Sequence, residues 1–103
     1  MSKVYVHATL KLRIGEYERF CEAMAKQVPV LERLGWKLVS AYVTAVGSIS
    51  TVIDIWELPD ANAFFDANAQ WRDTPEFREF RKVTPLAIVE EHVTMVTKVP
   101  YSP

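Results

Sequence analysis

The first segment of the chain alternates strictly. Val4, Val6, Ala8, Leu10 and Leu12 are apolar, and Tyr5, His7, Thr9 and Lys11 lie between them. A period of two puts the two sets on opposite faces of a strand. The pattern returns three more times: Val39, Ala41 and Val43 against Ser40 and Tyr42, Ile53 and Ile55 against Asp54 and Trp56, and Val93 and Met95 against His92 and Thr94. One face of the resulting sheet is expected to be apolar and to take the helices. The other gathers two histidines, Asp54, tyrosines and Trp56. Such an aromatic-rich face needs a cover, and in a chain of 103 residues the expected cover is a second copy of the same chain. The covered face then lines a cavity, where function is to be sought.

Between the strands the period lengthens. After Gly15, Glu16 opens a helical stretch in which Tyr17, Phe20, Cys21, Met24, Ala25, Val28 and Leu31 recur at three- and four-residue steps. Gly35 suits the left-handed residue that ends a helix, and Pro29 predicts a bend or split near Ala25 to Gln27. Trp36 to Ala45 and Ser50 to Leu58 read as hairpin strands around Gly47 and Ser48. Asp60 is placed to cap a helix carrying Phe64, Phe65, Asn68 and Trp71. Thr74-Pro75-Glu76 starts another, which carries Phe77 and Phe80 inward and is expected to stop by Val83, because Pro85 disfavours helical geometry at Thr84. The last strand falls within Leu86 to Lys98, and two prolines keep the tail Val99-Pro100-Tyr101-Ser102-Pro103 out of a ladder.

The order strand, helix, strand, strand, helix, strand predicts an α+β, ferredoxin-like βαββαβ fold with a four-stranded antiparallel sheet, in one domain over residues 1–103. Its first strand lies between the third and fourth. His7 is therefore expected beside Asp54 or Trp56 on one side and His92 on the other.

Composition narrows the partners. Half of the residues are hydrophobic and 12% aromatic, enough for a real core, and a formal charge of -1 leaves no electrostatic footprint for nucleic acid or an anionic membrane. No apolar run is long enough to span a bilayer. A single cysteine, Cys21, excludes an intrachain disulfide and suits a reducing compartment; with no export signal after Met1, a cytoplasmic location is expected. Arg72, Arg78, Arg81 and Lys82 alternate with Asp73, Glu76 and Glu79 as a solvated, mixed-charge helix face. Phosphate loops, dinucleotide fingerprints, nucleophile elbows and zinc-ligand spacings are missing, and three glycines give little scope for a backbone cradle. No cofactor and no metal is expected. His7 and His92 with Asp54 or Glu90 would make a facial ligand set, yet nothing in their spacing requires one.

Several stretches carry a resemblance. The opening strand followed by Gly15-Glu16-Tyr17, the proline late in the first helix, Gly35-Trp36-Lys37-Leu38-Val39, Ile55-Trp56-Glu57-Leu58, Asp73-Thr74-Pro75-Glu76-Phe77 and the closing Val99-Pro100-Tyr101-Ser102-Pro103 together resemble the NIPSNAP family over nearly the whole chain. The resemblance implies a dimeric α/β barrel, in which two ferredoxin-like sheets close face to face. That wider group includes cofactor-independent and haem-degrading monooxygenases, muconolactone isomerases and EthD-like proteins, so fold alone does not choose a chemistry. No catalytic motif is carried over from it.

The candidate chemistry therefore rests on the residues themselves. His7, Asp54 and His92 are the candidate catalytic set, because a histidine beside a carboxylate relays protons near neutral pH. Packing offers the competing account of the histidines, and a salt bridge to Lys11 that of Asp54. Tyr5, Tyr42, Trp56 and Trp71 are the candidate substrate contacts, suited to stacking on a flat apolar molecule and equally suited to a barrel interior. Two functions remain in view. One is a homodimer that binds a small, partly aromatic organic molecule and works on it by cofactor-independent oxygenation or isomerisation. The other is a non-catalytic binding or interaction module.

Overall fold

The computed structural model describes residues 3–103. Alternation and helical periodicity resolve into β1 (Val4–Leu12), α1 (Tyr17–Arg33), β2 (Lys37–Val43), β3 (Thr51–Leu58), α2 (Asn62–Arg72), α3 (Pro75–Ala87) and β4 (Ile88–Val96). The four strands form one antiparallel sheet in the order β2-β3-β1-β4. This is the expected ferredoxin-like arrangement, with β1 between β3 and β4.

The helix ends follow the local chemistry. Gly35, at φ 110°, closes α1 with a paired-bond cap in which the Gly35 amide donates to the Glu32 carbonyl and the Trp36 amide to that of Leu31. Asp60 Oδ1 accepts from the Ala63 amide at 2.9 Å at the head of α2. Thr74 Oγ1 accepts from the Phe77 amide at 3.1 Å at the head of α3, while its own hydroxyl donates to the Trp71 carbonyl at 2.6 Å.

Both interior prolines are tolerated, against expectation. α1 runs unbroken through Pro29, which is exposed while Gln27, Val30 and Leu31 on either side are buried. α3 likewise continues through Pro85 to Ala87, where the Arg13 amide donates to the Ala87 carbonyl at 2.8 Å. In each case the ring points to solvent and the neighbouring turns are fixed by packing, which outweighs a lost backbone bond.

The helices cover one face of the sheet. Val4, Val6, Leu10 and Leu12 of β1 and Val52, Trp56 and Leu58 of β3 are all buried beneath them. One part of the core centres on Val6, Leu31, Trp36 and Trp56, another on Leu12, Phe20, Phe77 and Phe80; Met24 and Trp71 pack against both. In β2 the ladder slips by one residue, with Leu38 opposite Trp56 but Ser40 opposite Ile55, so Val39 is an unpaired bulge.

Candidate functional site

The register of β1 against β3 decides which side chains meet. Val6 stands opposite Trp56, Ala8 opposite Asp54 and Leu10 opposite Val52, so Asp54 and Trp56 point toward the helices. His7 stands opposite Ile55 and Thr9 opposite Ile53. The expected convergence of His7 with Asp54 and Trp56 is thus corrected: a full sheet thickness separates them. The stretch Thr51 to Leu58 carries apolar residues at both parities, and the inward set is Val52, Trp56 and Leu58 rather than Ile53 and Ile55.

The candidate set therefore divides. Asp54, Trp56 and Trp71 share the helix side. Tyr5, His7, Tyr42 and His92 share the open face, where His92 of β4 pairs with Thr9 of β1 and Tyr42 of β2 with Ile53 of β3. His7 is exposed, and His92 Nε2 lies 3.1 Å from Glu90 Oε2 with both side chains in solvent. The ammonium of Lys98 lies 5.6 Å from the centre of the Tyr5 ring. Tyr5 and His7 line a wide-mouthed hollow of about 340 Å³ on this face, bordered by Ile55, Lys98, Val99 and Ser102.

On the helix side a cavity of about 350 Å³ lies between the sheet and the helices. Val6, Ala8, Asp54 and Trp56 supply its sheet wall, and Trp36, Phe64 and Trp71 stand over them. The aromatic walls are mutually fixed. Trp36 stacks on Phe64 at 5.4 Å, meets Trp56 edge-on at 5.7 Å, and donates its indole N–H to the Ala63 carbonyl at 3.0 Å. Trp71 meets Phe77 edge-on at 4.7 Å and donates its indole N–H to Gln27 Oε1 at 2.9 Å. Buried Gln27 in turn donates to the Glu76 carbonyl at 3.1 Å, tying α1, α2 and α3 together. Exposed Arg72 and Glu91, with Asn68 near them, mark the opening of the cavity.

Asp54 is the ionisable group inside. It is 5% exposed, and among the described residues its carboxylate has no hydrogen-bond or ion-pair partner; Lys11, the expected partner, belongs to the other face. Burial alone pushes its pKa up to about 6. A carboxylate of this kind takes and returns protons near neutrality, and aromatic walls give a flat molecule a defined orientation beside it. Among the described residues no three His, Cys, Asp or Glu side chains cluster as metal ligands. No helix among them is long and apolar enough to cross a membrane.

Trp36, Phe64, Gln27, Asn68, Arg72 and Glu91 were not among the candidates from sequence. Glu57 next to Leu58 was the available signal, because a charged and a large apolar residue at the end of β3 fix its parity and with it the wall on which Asp54 stands.

The family model for NIPSNAP matches residues 5–103. Among curated proteins no match is found. A NIPSNAP family protein of unknown function from Agrobacterium tumefaciens has a similar solved structure, with TM-score 0.88 and 16% identity over 99% of this chain and 93% of that one. A NIPSNAP-like domain protein from Burkholderia xenovorans is similar at TM-score 0.82 and 22% identity, covering 99% of this chain and 90% of that one. A Bordetella bronchiseptica protein, named as a candidate antibiotic biosynthesis monooxygenase, aligns at TM-score 0.76 and 18% identity over 96% of this chain and 99% of that one. Likeness at this level of identity establishes the fold.

Proposed function

The chain belongs to the NIPSNAP family, and from that premise together with the cavity beneath its helices we propose that it binds a small planar aromatic molecule there and removes a proton from it. The observation that carries this reading is Asp54: a buried carboxylate without a partner costs stability, and here it faces an aromatic cavity of ligand size. The ring lies against Trp56 and between Trp36 and Trp71. Its acidic O–H or C–H is presented to Asp54, which becomes a neutral carboxylic acid as the ligand becomes an anion. Returning the proton to another ligand atom is an isomerisation. Passing an electron from the anion to dioxygen begins an oxygenation, the class named for the Bordetella neighbour. Neither route needs a cofactor.

The open face has a separate role in this proposal. Tyr5, His7, Tyr42, Ile53 and Ile55 present a mixed apolar and polar surface without helical cover, and a second copy of the chain covers it. His7 and His92 then belong to the subunit contact. Native mass spectrometry of the protein purified from its own host reads both parts, with a dimer carrying a retained small molecule expected. Titration of 1-naphthol, followed by the ¹³C carboxyl resonance of Asp54, gives the site: a saturable shift supports it, and an Asp54 resonance indifferent to the ring overturns it.

A further inference from the structure

A second hollow, of about 160 Å³, borders Asp54 from the other side. It lies between α1 and the β2–β3 half of the sheet, with Phe20, Val28, Leu38 and Val52 around it and Ala25 and Ala41 on its exposed side. Met24, Asp54 and Trp56 border both hollows. A ligand whose ionisable group rests on Asp54 therefore has both within reach.

The chemistry of the two differs. The larger has three tryptophans, an amide and charged groups at its opening. The smaller has no cation, no amide side chain and no hydroxyl, and apart from Asp54 and Trp56 its only side chain with a polar atom other than a thioether is Cys21, a thiol. Its size is close to that of an engineered apolar cavity that accepts benzene, a group of six carbons. It opens to the surface past the small side chains of Ala25 and Ala41, where larger ones would close it.

We infer that the smaller hollow holds an alkyl arm carried on the ring carbon next to the ionisable group, which makes the ligand an alkyl-substituted hydroxyarene. The inference rests on the reading of the larger cavity as the ring site and adds the substituent to it. The aromatic part occupies the larger hollow with its hydroxyl on Asp54, and the arm turns past Met24 and Trp56 into the smaller. Met24, unbranched and flexible, is suited to yielding there.

The test uses 1-naphthol and 2-alkyl-1-naphthols with chains of one to six carbons, titrated calorimetrically into the full chain. Affinity is expected to rise by about fourfold for each methylene buried and to level off at about six carbons. Ala41→Leu, and independently Ala25→Leu on the facing wall, are expected to bring the ratio of hexyl to parent affinity down toward one, with circular dichroism confirming that each variant folds. Chain lengthening without gain, or a ratio unchanged in the folded variants, overturns the alkyl subsite while leaving the ring site standing. Failure of 1-naphthol itself to bind overturns both.

Discussion

Replacing Asp54 by asparagine should stabilise the protein, and by an amount that depends on pH. The native carboxyl sits at about 6 where a free side chain has 3.8. With each tenfold change in proton affinity worth about 1.4 kcal/mol, ionising Asp54 inside the fold costs roughly 3 kcal/mol. The native state holds its proton more tightly than the unfolded state, so this contribution to stability falls as pH rises from about 4 through about 6 and is flat above. Asparagine keeps the shape and carries no charge. Urea unfolding at fixed protein concentration should therefore show Asp54→Asn close to wild type at pH 4 and more stable by about 2–3 kcal/mol at pH 8, most of the change falling between. Taking the difference between the two proteins removes the other carboxyl groups, including Glu57 and Glu79, which Lys3 and Lys82 hold below their ordinary values. A difference that does not vary with pH, or a variant less stable at pH 8, would refute the claim that Asp54 is buried without a partner. The same substitution should abolish proton transfer to the site, so stability and activity are expected to move in opposite directions.

Three further outcomes follow from the geometry. Gln27→Leu leaves the Trp71 indole N–H without its acceptor and should cost about 1–3 kcal/mol in urea unfolding; the loss should shrink when Trp71 is already phenylalanine, and equal losses in both backgrounds would sink the network. Thr74→Ala removes the side-chain cap of α3 and should cost about 1 kcal/mol, read as a lower unfolding midpoint. His7→Ala and His92→Ala, on the far side of the sheet from Asp54, should change 1-naphthol affinity by less than about twofold while weakening self-association in sedimentation velocity. A tenfold loss of naphthol affinity would return the site to the open face.

The strands and most helix boundaries were legible because each is written in a local code. The alternation in β1, glycine after Leu34, and Thr74 ahead of Pro75 each specify geometry within a few residues. The helices passing through Pro29 and Pro85 were not legible, since their persistence depends on Leu31, Phe80 and Ala87 being held in a core assembled from distant elements. The site was half legible. Asp54, Trp56 and Trp71 were singled out for their chemistry, yet Asp54 and Trp56 were set on the wrong side, because a central strand with apolar residues at both parities does not state its facing. Gln27 and Trp36 escaped notice because their polar atoms find partners only once three helices are assembled over the sheet.

Had β2 kept the register that pairs Leu38 with Trp56, with no slip at Val39, Ser40 would have taken the place opposite Asp54 that Ala41 now holds, bringing a hydroxyl group to a lonely acid and closing part of the space beside it. One slip of register in an outer strand thus keeps the carboxylate unquenched and the room around it vacant.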